Sequence, residues 1–219
     1  MKYRAEIDGL RALAIIPVIL FHYGFGLISG GFIGVDVFFV ISGYLITTII
    51  LNELEDGNFN LFSFYERRAR RILPALILIL IVTYCFSWYT NLPGPHKIIG
   101  HYVVSSILFS SNILLFLKGN EYFGIENNPL FHTWSLGVEE QYYLVFPLFM
   151  LFFWRFGKRT IMCILVIAFI LSLLIAHWGS YNNPIASFYL LPMRGWEILL
   201  GVFCAFYLKN TSGLRTHNL

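Results

Sequence analysis

Charge is scarce in this sequence. Only 12% of its 219 residues are Asp, Glu, Lys or Arg, about half the share found in an ordinary soluble domain. Too few polar side chains remain to cover a water-soluble globule. A hydrophobic content of 58% also excludes a disordered chain, which needs low hydrophobicity and high charge. Cysteine is scarce too. Cys85, Cys163 and Cys204 stand alone within apolar runs, without the spacing of a metal site or disulfide framework, and read as buried or lipid-facing apolar residues. The net charge of +3 is not the basic stripe that a nucleic-acid partner requires. A P-loop, a dinucleotide-binding glycine loop, a nucleophile elbow and a zinc-binding histidine pair are all missing, so no metal and no tightly bound cofactor is expected. There is no internal repeat, low-complexity stretch or linker.

What is present is long apolar runs and an 18% share of aromatic residues. A bilayer-crossing helix needs about 20 mostly apolar residues. Six stretches meet or approach this, at 10–28, 33–52, 72–90, 134–154, 160–178 and 193–208. A seventh, 99–117, carries His101, Ser105, Ser106, Ser110, Ser111 and Asn112 and reads as polar-faced, re-entrant or interfacial. The expected fold class is therefore all-α, a polytopic integral membrane helical bundle of six or seven transmembrane helices. One membrane domain covers 1–208, and 209–219 form a polar tail. The first run is a retained helix and not a signal peptide, because Arg11 edges it, His22 closes it and no small-x-small cleavage site follows.

Orientation is set by Lys and Arg in short loops. Lys2 and Arg4 place the N-terminus inside, as do Arg67, Arg68, Arg70 and Arg71 for the loop 53–71, two spans later. Arg155, Lys158 and Arg159 share that side only if 99–117 does not cross. Within the second loop, Ser63-Phe-Tyr-Glu66 fits a capping box. A helix starting there shows Arg67 and Arg71 on one face, Arg68 beside them, and meets Pro74, a potential kink, on entering the membrane.

Ionisable residues inside a span cost several kcal/mol and need a partner or a task. Arg11 and His22 are eleven residues apart, about three turns and roughly 16 Å along one face. A neutral His can take a proton from a hydroxyl, and an Arg can hold a phosphate or carboxylate. The residues alone favour a His bonded to a neighbouring helix and an Arg that only snorkels. In Gly30–Tyr44 the small residues Gly30, Gly31, Gly34, Ser42 and Gly43 permit close helix approach, whereas Asp36 calls for a partner. The four-arginine cluster suits phosphate groups as well as topology. Glu139, Glu140 and Gln141 open an apolar span, and the two carboxylates point about 100° apart. One of them either orients His22, pairs with an arginine, or caps an interfacial end. Arg194 and Glu197 are spaced for an i, i+3 pair.

The runs from Ile7-Asp-Gly-Leu-Arg11 to His22, GGFIGVDVFFVISGYLI, FYERRARRILP, HTWSLGVEEQYYLVFP and RGWEILLGV resemble, in order, the blocks of the membrane acyltransferase-3 family. Its members are bacterial inner-membrane enzymes that O-acetylate surface polysaccharides, of the lipopolysaccharide and exopolysaccharide kind. The resemblance implies a catalytic role for His22 with Arg11, contact of Arg68 and Arg71, with Arg67, to the acyl donor, and a site role for Glu139 and Gln141. Asp36 and a Ser42-Gly43-Tyr44 turn match a further motif. It also implies acyl-CoA, commonly acetyl-CoA, as co-substrate, a polysaccharide or glycolipid acceptor, and a multi-pass location in the bacterial cytoplasmic membrane among its lipids. The family core has about ten spans, so the chain is expected to be an N-terminal portion. A truncated, inactive product and a small-solute transporter are the competing readings.

Overall fold

The computed structural model describes residues 5–24, 30–90, 93–119 and 129–216, the side chains of 93–95 and 210–216 aside. It is a helical membrane bundle with no strand among the described residues. In chain order the helices are α1 (Ala5–His22), α2 (Gly34–Glu55), α3 (Leu61–Thr90), α4 (Pro93–Ile107), α5 (Ser111–Lys118), α6 (Thr133–Phe153), α7 (Lys158–Asn182), α8 (Pro184–Tyr189) and α9 (Leu191–Thr216), with single 3-10 turns at Gly31–Ile33 and Trp154–Phe156.

Five segments are long and apolar enough to cross a bilayer: Gly31–Glu55, Leu61–Thr90, Thr133–Phe156, Lys158–Asn182 and Pro184–Lys209. They match five of the six expected spans. The sixth, 10–28, is helical only as the 18-residue α1, whose Glu6, Asp8 and Arg11 interrupt its apolar character; residues 25–29 lie outside the described set, as do Lys2 and Arg4. The polar stretch 99–117 is broken into α4, of 15 residues, and α5, of 8. Each is too short to span alone. The break is at Phe109, whose φ of +51° is the one positive value at a non-glycine residue among those described. Beyond Lys209, α9 continues as helix to Thr216.

The expected start of the third span needs correction. The helix begins at Leu61, and Asn60 Oδ1 accepts from the Ser63 backbone N–H at 3.0 Å. Asn60 is therefore the cap, and Glu66 pairs with Arg70 at 2.7 Å instead of reaching back. The expected basic loop and span fuse into one 30-residue helix that runs through Pro74. At about 45 Å it exceeds a ~30 Å hydrocarbon core by several turns, so the arginines ride on a helical extension of the span.

The chain divides into two compact units. The first comprises residues 1–58, 153–173 and 194–219. Here α1 packs on the start of α2, and a Cβ at Gly31 or Gly34 would fall 2.2 Å from the Pro17 carbonyl or 2.1 Å from that of Ala14. Helices α2 and α9 meet just as closely. A Cβ at Gly43 would lie 2.1 Å from the Ile198 carbonyl oxygen, and one at Gly201 only 1.9 Å from that of Val40. Glycine lets the backbones touch where apolar burial cannot drive association. Both ends of this helix pair are tied by charge: Arg194 to Asp36 at 2.8 Å, and Lys209 to Glu55 at 2.6 Å. The two helices thus run parallel, and Asp36 and Glu55 are about 28 Å apart along α2.

The second unit comprises residues 59–152 and 174–193. It holds α3 to α6 and α8. A buried polar knot fixes the α4–α5 break. Gln141 Nε2 donates to the Phe109 carbonyl at 3.0 Å and to Asn112 Oδ1 at 2.9 Å, and Asn112 Nδ2 donates to the Tyr189 carbonyl at 3.1 Å. Ser111 Oγ donates to the Thr133 carbonyl at 2.8 Å beside it. Of the polar residues that made 99–117 look unlike a span, Ser105, Ser106, Ser111 and Asn112 are thus buried inside the protein, Ser110 is half-buried and His101 is exposed. Cys85, Cys163 and Cys204 are all exposed, in keeping with lipid-facing apolar residues.

Candidate functional site

His22 ends α1 in the first unit and is exposed. Its ring Nδ1 lies 2.8 Å from the Val18 carbonyl oxygen, one turn back on the same helix. A carbonyl can only accept, so Nδ1 carries the proton, and in the neutral ring the Nε2 lone pair points away from that bond. That is the tautomer a general base needs. Arg11 lies on the same helix, half-buried, with Asp8 at 3.7 Å. The partner that Asp36 calls for is Arg194, 158 positions away, which also binds Glu197 at 2.7 Å. The side chains of Arg194 and Glu197 are only 15% and 4% exposed. Two carboxylates thus share one guanidinium inside the bundle, and Glu197 Oε2 is buried with no hydrogen-bond partner.

The Ser42-Gly43-Tyr44 segment is not a turn. All three residues lie within α2, Ser42 and Gly43 are buried, and Gly43 provides the close approach to α9. The turn is implied by the family resemblance, whereas the small residues themselves read as a close-approach face, which is what Gly31, Gly34 and Gly43 form.

The second unit carries a cavity of about 310 Å³ between α3, the α4–α5 break and α6. Apolar side chains line most of it, among them Ile72, Leu73, Leu108 and Leu144. Arg68, Glu140 and Gln141 bring polar groups to its wall. The Arg68 guanidinium sits over the Tyr143 ring, 4.4 Å from its centroid. Glu139, Glu140 and Arg71 are within electrostatic reach of it. Tyr65, one turn before Arg68, donates its hydroxyl to the Leu144 carbonyl at 2.7 Å and ties α3 to α6. Of the residues expected to contact a donor, only Arg68 lines this cavity. Arg67 and Arg71 are exposed on α3. Of the expected pair on α6, Gln141 lines the cavity, while Glu139 accepts a hydrogen bond from the Tyr143 hydroxyl. The neighbouring Glu140 faces the cavity instead, and its Oε1 is buried without a hydrogen-bond partner.

Sequence reasoning did not single out Tyr143 or Tyr65 as site residues, and it weighed Glu140 only as one of two adjacent carboxylates. Tyr143 had a signal, being one turn after Glu139 and aromatic at a span opening. The others depend on helix pairing that the sequence does not display. No group of three His, Cys, Asp or Glu able to hold a metal occurs among the described residues.

Residues 4–218 match the family described as an acyltransferase domain. The chain is similar to the peptidoglycan O-acetyltransferase OatA of Listeria monocytogenes, 38% identical over 94% of this chain and 34% of that protein. It is also similar to the O-acetyltransferase OatA of Staphylococcus aureus, 36% identical over 94% of this chain and 35% of that protein. It spans about a third of the length of these curated relatives. No solved structure matches it. The five ordered motif blocks, the helical membrane bundle and a match over nearly every residue converge, and the chain belongs to the acyltransferase-3 family of membrane acyltransferases.

Proposed function

We propose that this chain takes an acyl group, acetyl in the first instance, from acyl-CoA and passes it to a hydroxyl of a cell-surface glycan. Peptidoglycan is the first acceptor to try, in view of the name of the Listeria relative. In this reading His22 Nε2 removes the proton of the attacking hydroxyl, oxygen bonds to the thioester carbonyl carbon, and the C–S bond breaks. The proton leaves with the CoA thiolate, so no other reactant is needed. Arg68 at the cavity, with Arg67 and Arg71, holds the donor's phosphates, since guanidinium groups suit phosphate in number and geometry of donors, and Arg11 acts with His22 on α1. The protein works in the cytoplasmic membrane with its N-terminus inside, and the acceptor is engaged on the opposite face.

The observation that carries this reading is the His22 ring, held through Nδ1 by its own helix and presenting Nε2. It is tested in membranes bearing the chain by supplying labelled acetyl-CoA and following label into the polymer fraction. His22→Ala is expected to abolish transfer while insertion into the membrane stays intact. Transfer retained by that variant overturns the role of His22.

A further inference from the structure

We propose that Tyr143 is a positioning residue that holds Arg68 for the acyl donor, and that Glu139 acts on the reaction through Tyr143. The proposal rests on the reading of Arg68 as a donor-binding group.

Two contacts in the second unit and one absence among the described residues carry it. The Tyr143 hydroxyl donates to Glu139 one turn back on α6. The face of the same ring receives the Arg68 guanidinium of α3. Arg68 has no hydrogen-bonding acceptor among the described residues, although it is half-buried at a cavity wall. The electron-rich face of an aromatic ring attracts a cation, more strongly when both are partly removed from water. A carboxylate accepting the phenol hydrogen bond adds electron density to the ring and fixes its rotation. The guanidinium is therefore held by an interaction that uses none of its five N–H donors. An arginine paired with a carboxylate would spend two of them and lose net charge locally. Arg68 instead keeps its N–H donors for an anionic ligand entering the cavity.

This arrangement also assigns the two adjacent carboxylates of α6. They diverge by about 100°, so Glu139 reaches the phenol while Glu140 reaches the cavity. Glu139 then has no need to touch either the acyl group or His22 to matter for turnover. Its loss loosens the ring that steadies the arginine.

The test measures the KM for acetyl-CoA and kcat separately, with the full chain in native membranes. Tyr143→Leu removes the ring and is expected to raise the KM about 3- to 30-fold with little change in kcat. Tyr143→Phe keeps the ring face and should recover most of that loss. Glu139→Gln, which still accepts from the phenol, should fall between the unaltered chain and Tyr143→Leu. A KM unmoved by Tyr143→Leu, in the presence of a KM raised by Arg68→Ala, overturns the proposal and leaves the donor reading standing. A KM unmoved by Arg68→Ala overturns the donor reading itself, and the proposal with it. Tyr143→Leu and Tyr143→Phe lowering kcat alike, with KM constant, also contradicts it, because the hydroxyl and not the ring would then be what matters. Should Tyr143→Leu fail to accumulate in membranes, the Tyr143→Phe and Arg68→Lys pair decides. The proposal predicts a raised KM for Arg68→Lys, whose compact ammonium cannot both sit on the ring and span a phosphate, and a near-normal one for Tyr143→Phe; the reverse order contradicts it.

Discussion

Arg194 pairs with two carboxylates at once, and its side chain is 15% exposed. Truncating it takes the cation from both Asp36 and the buried Glu197, a change that costs about 3–5 kcal/mol. Arg194→Ala is therefore expected to lower the thermal midpoint in detergent sharply, and Glu197→Gln much less, since an amide oxygen still accepts from the guanidinium. The cluster at the other end of α2 behaves differently. Glu55 bridges Lys158 and Lys209 at 2.5 and 2.6 Å, but Lys158 is 49% exposed. Glu55→Gln should cost less than about 1 kcal/mol. Equal effects of Arg194→Ala and Glu55→Gln would contradict this ranking. The i, i+3 spacing of Arg194 and Glu197 is legible in the sequence, as is the need of Asp36 for a partner. That the partner is Arg194 is not, because only the packing of α2 on α9 brings positions 36 and 194 together.

At the scale of the helix, glycine decides which faces touch. A Cβ at Gly201 would lie 1.9 Å from a backbone oxygen, which no rotamer change relieves. Gly201→Ala and Gly43→Ala should each destabilise the α2–α9 pair by about 1–3 kcal/mol, read as a lower thermal midpoint. Gly57→Ala would meet no atom within 4 Å, so its cost is confined to the positive φ of +67°. The α4–α5 break makes a similar point with hydrogen bonds. Gln141→Ala strips the Phe109 carbonyl and Asn112 of a partner and should cost about 1–3 kcal/mol, with faster amide exchange in α5. The long apolar helices were legible because hydropathy over some twenty residues is a strong signal. The break within 99–117 was legible only as an anomaly in polarity. The start of α3 was misplaced by three residues, because Asn60 and Ser63 are both good caps and only the hydrogen bond of the Ser63 N–H to Asn60 distinguishes them.

For the whole molecule, the motif residues fall into two compact units: Arg11, His22 and Asp36 in the first, Arg68, Glu139 and Gln141 in the second. The ordering of motifs along the sequence conveys the family but not this division, since α7 contributes to both units and the last residues return to the first. The proposed role of His22 as the base in acyl transfer from a CoA thioester is open to direct measurement. It is tested most directly by free CoA thiol release from acetyl-CoA in membranes carrying the unaltered chain, His22→Ala or His22→Gln at matched amounts, with cell-wall polymer present. Release is expected from the unaltered chain alone, with none above background from either variant. Equal release by all three would contradict it.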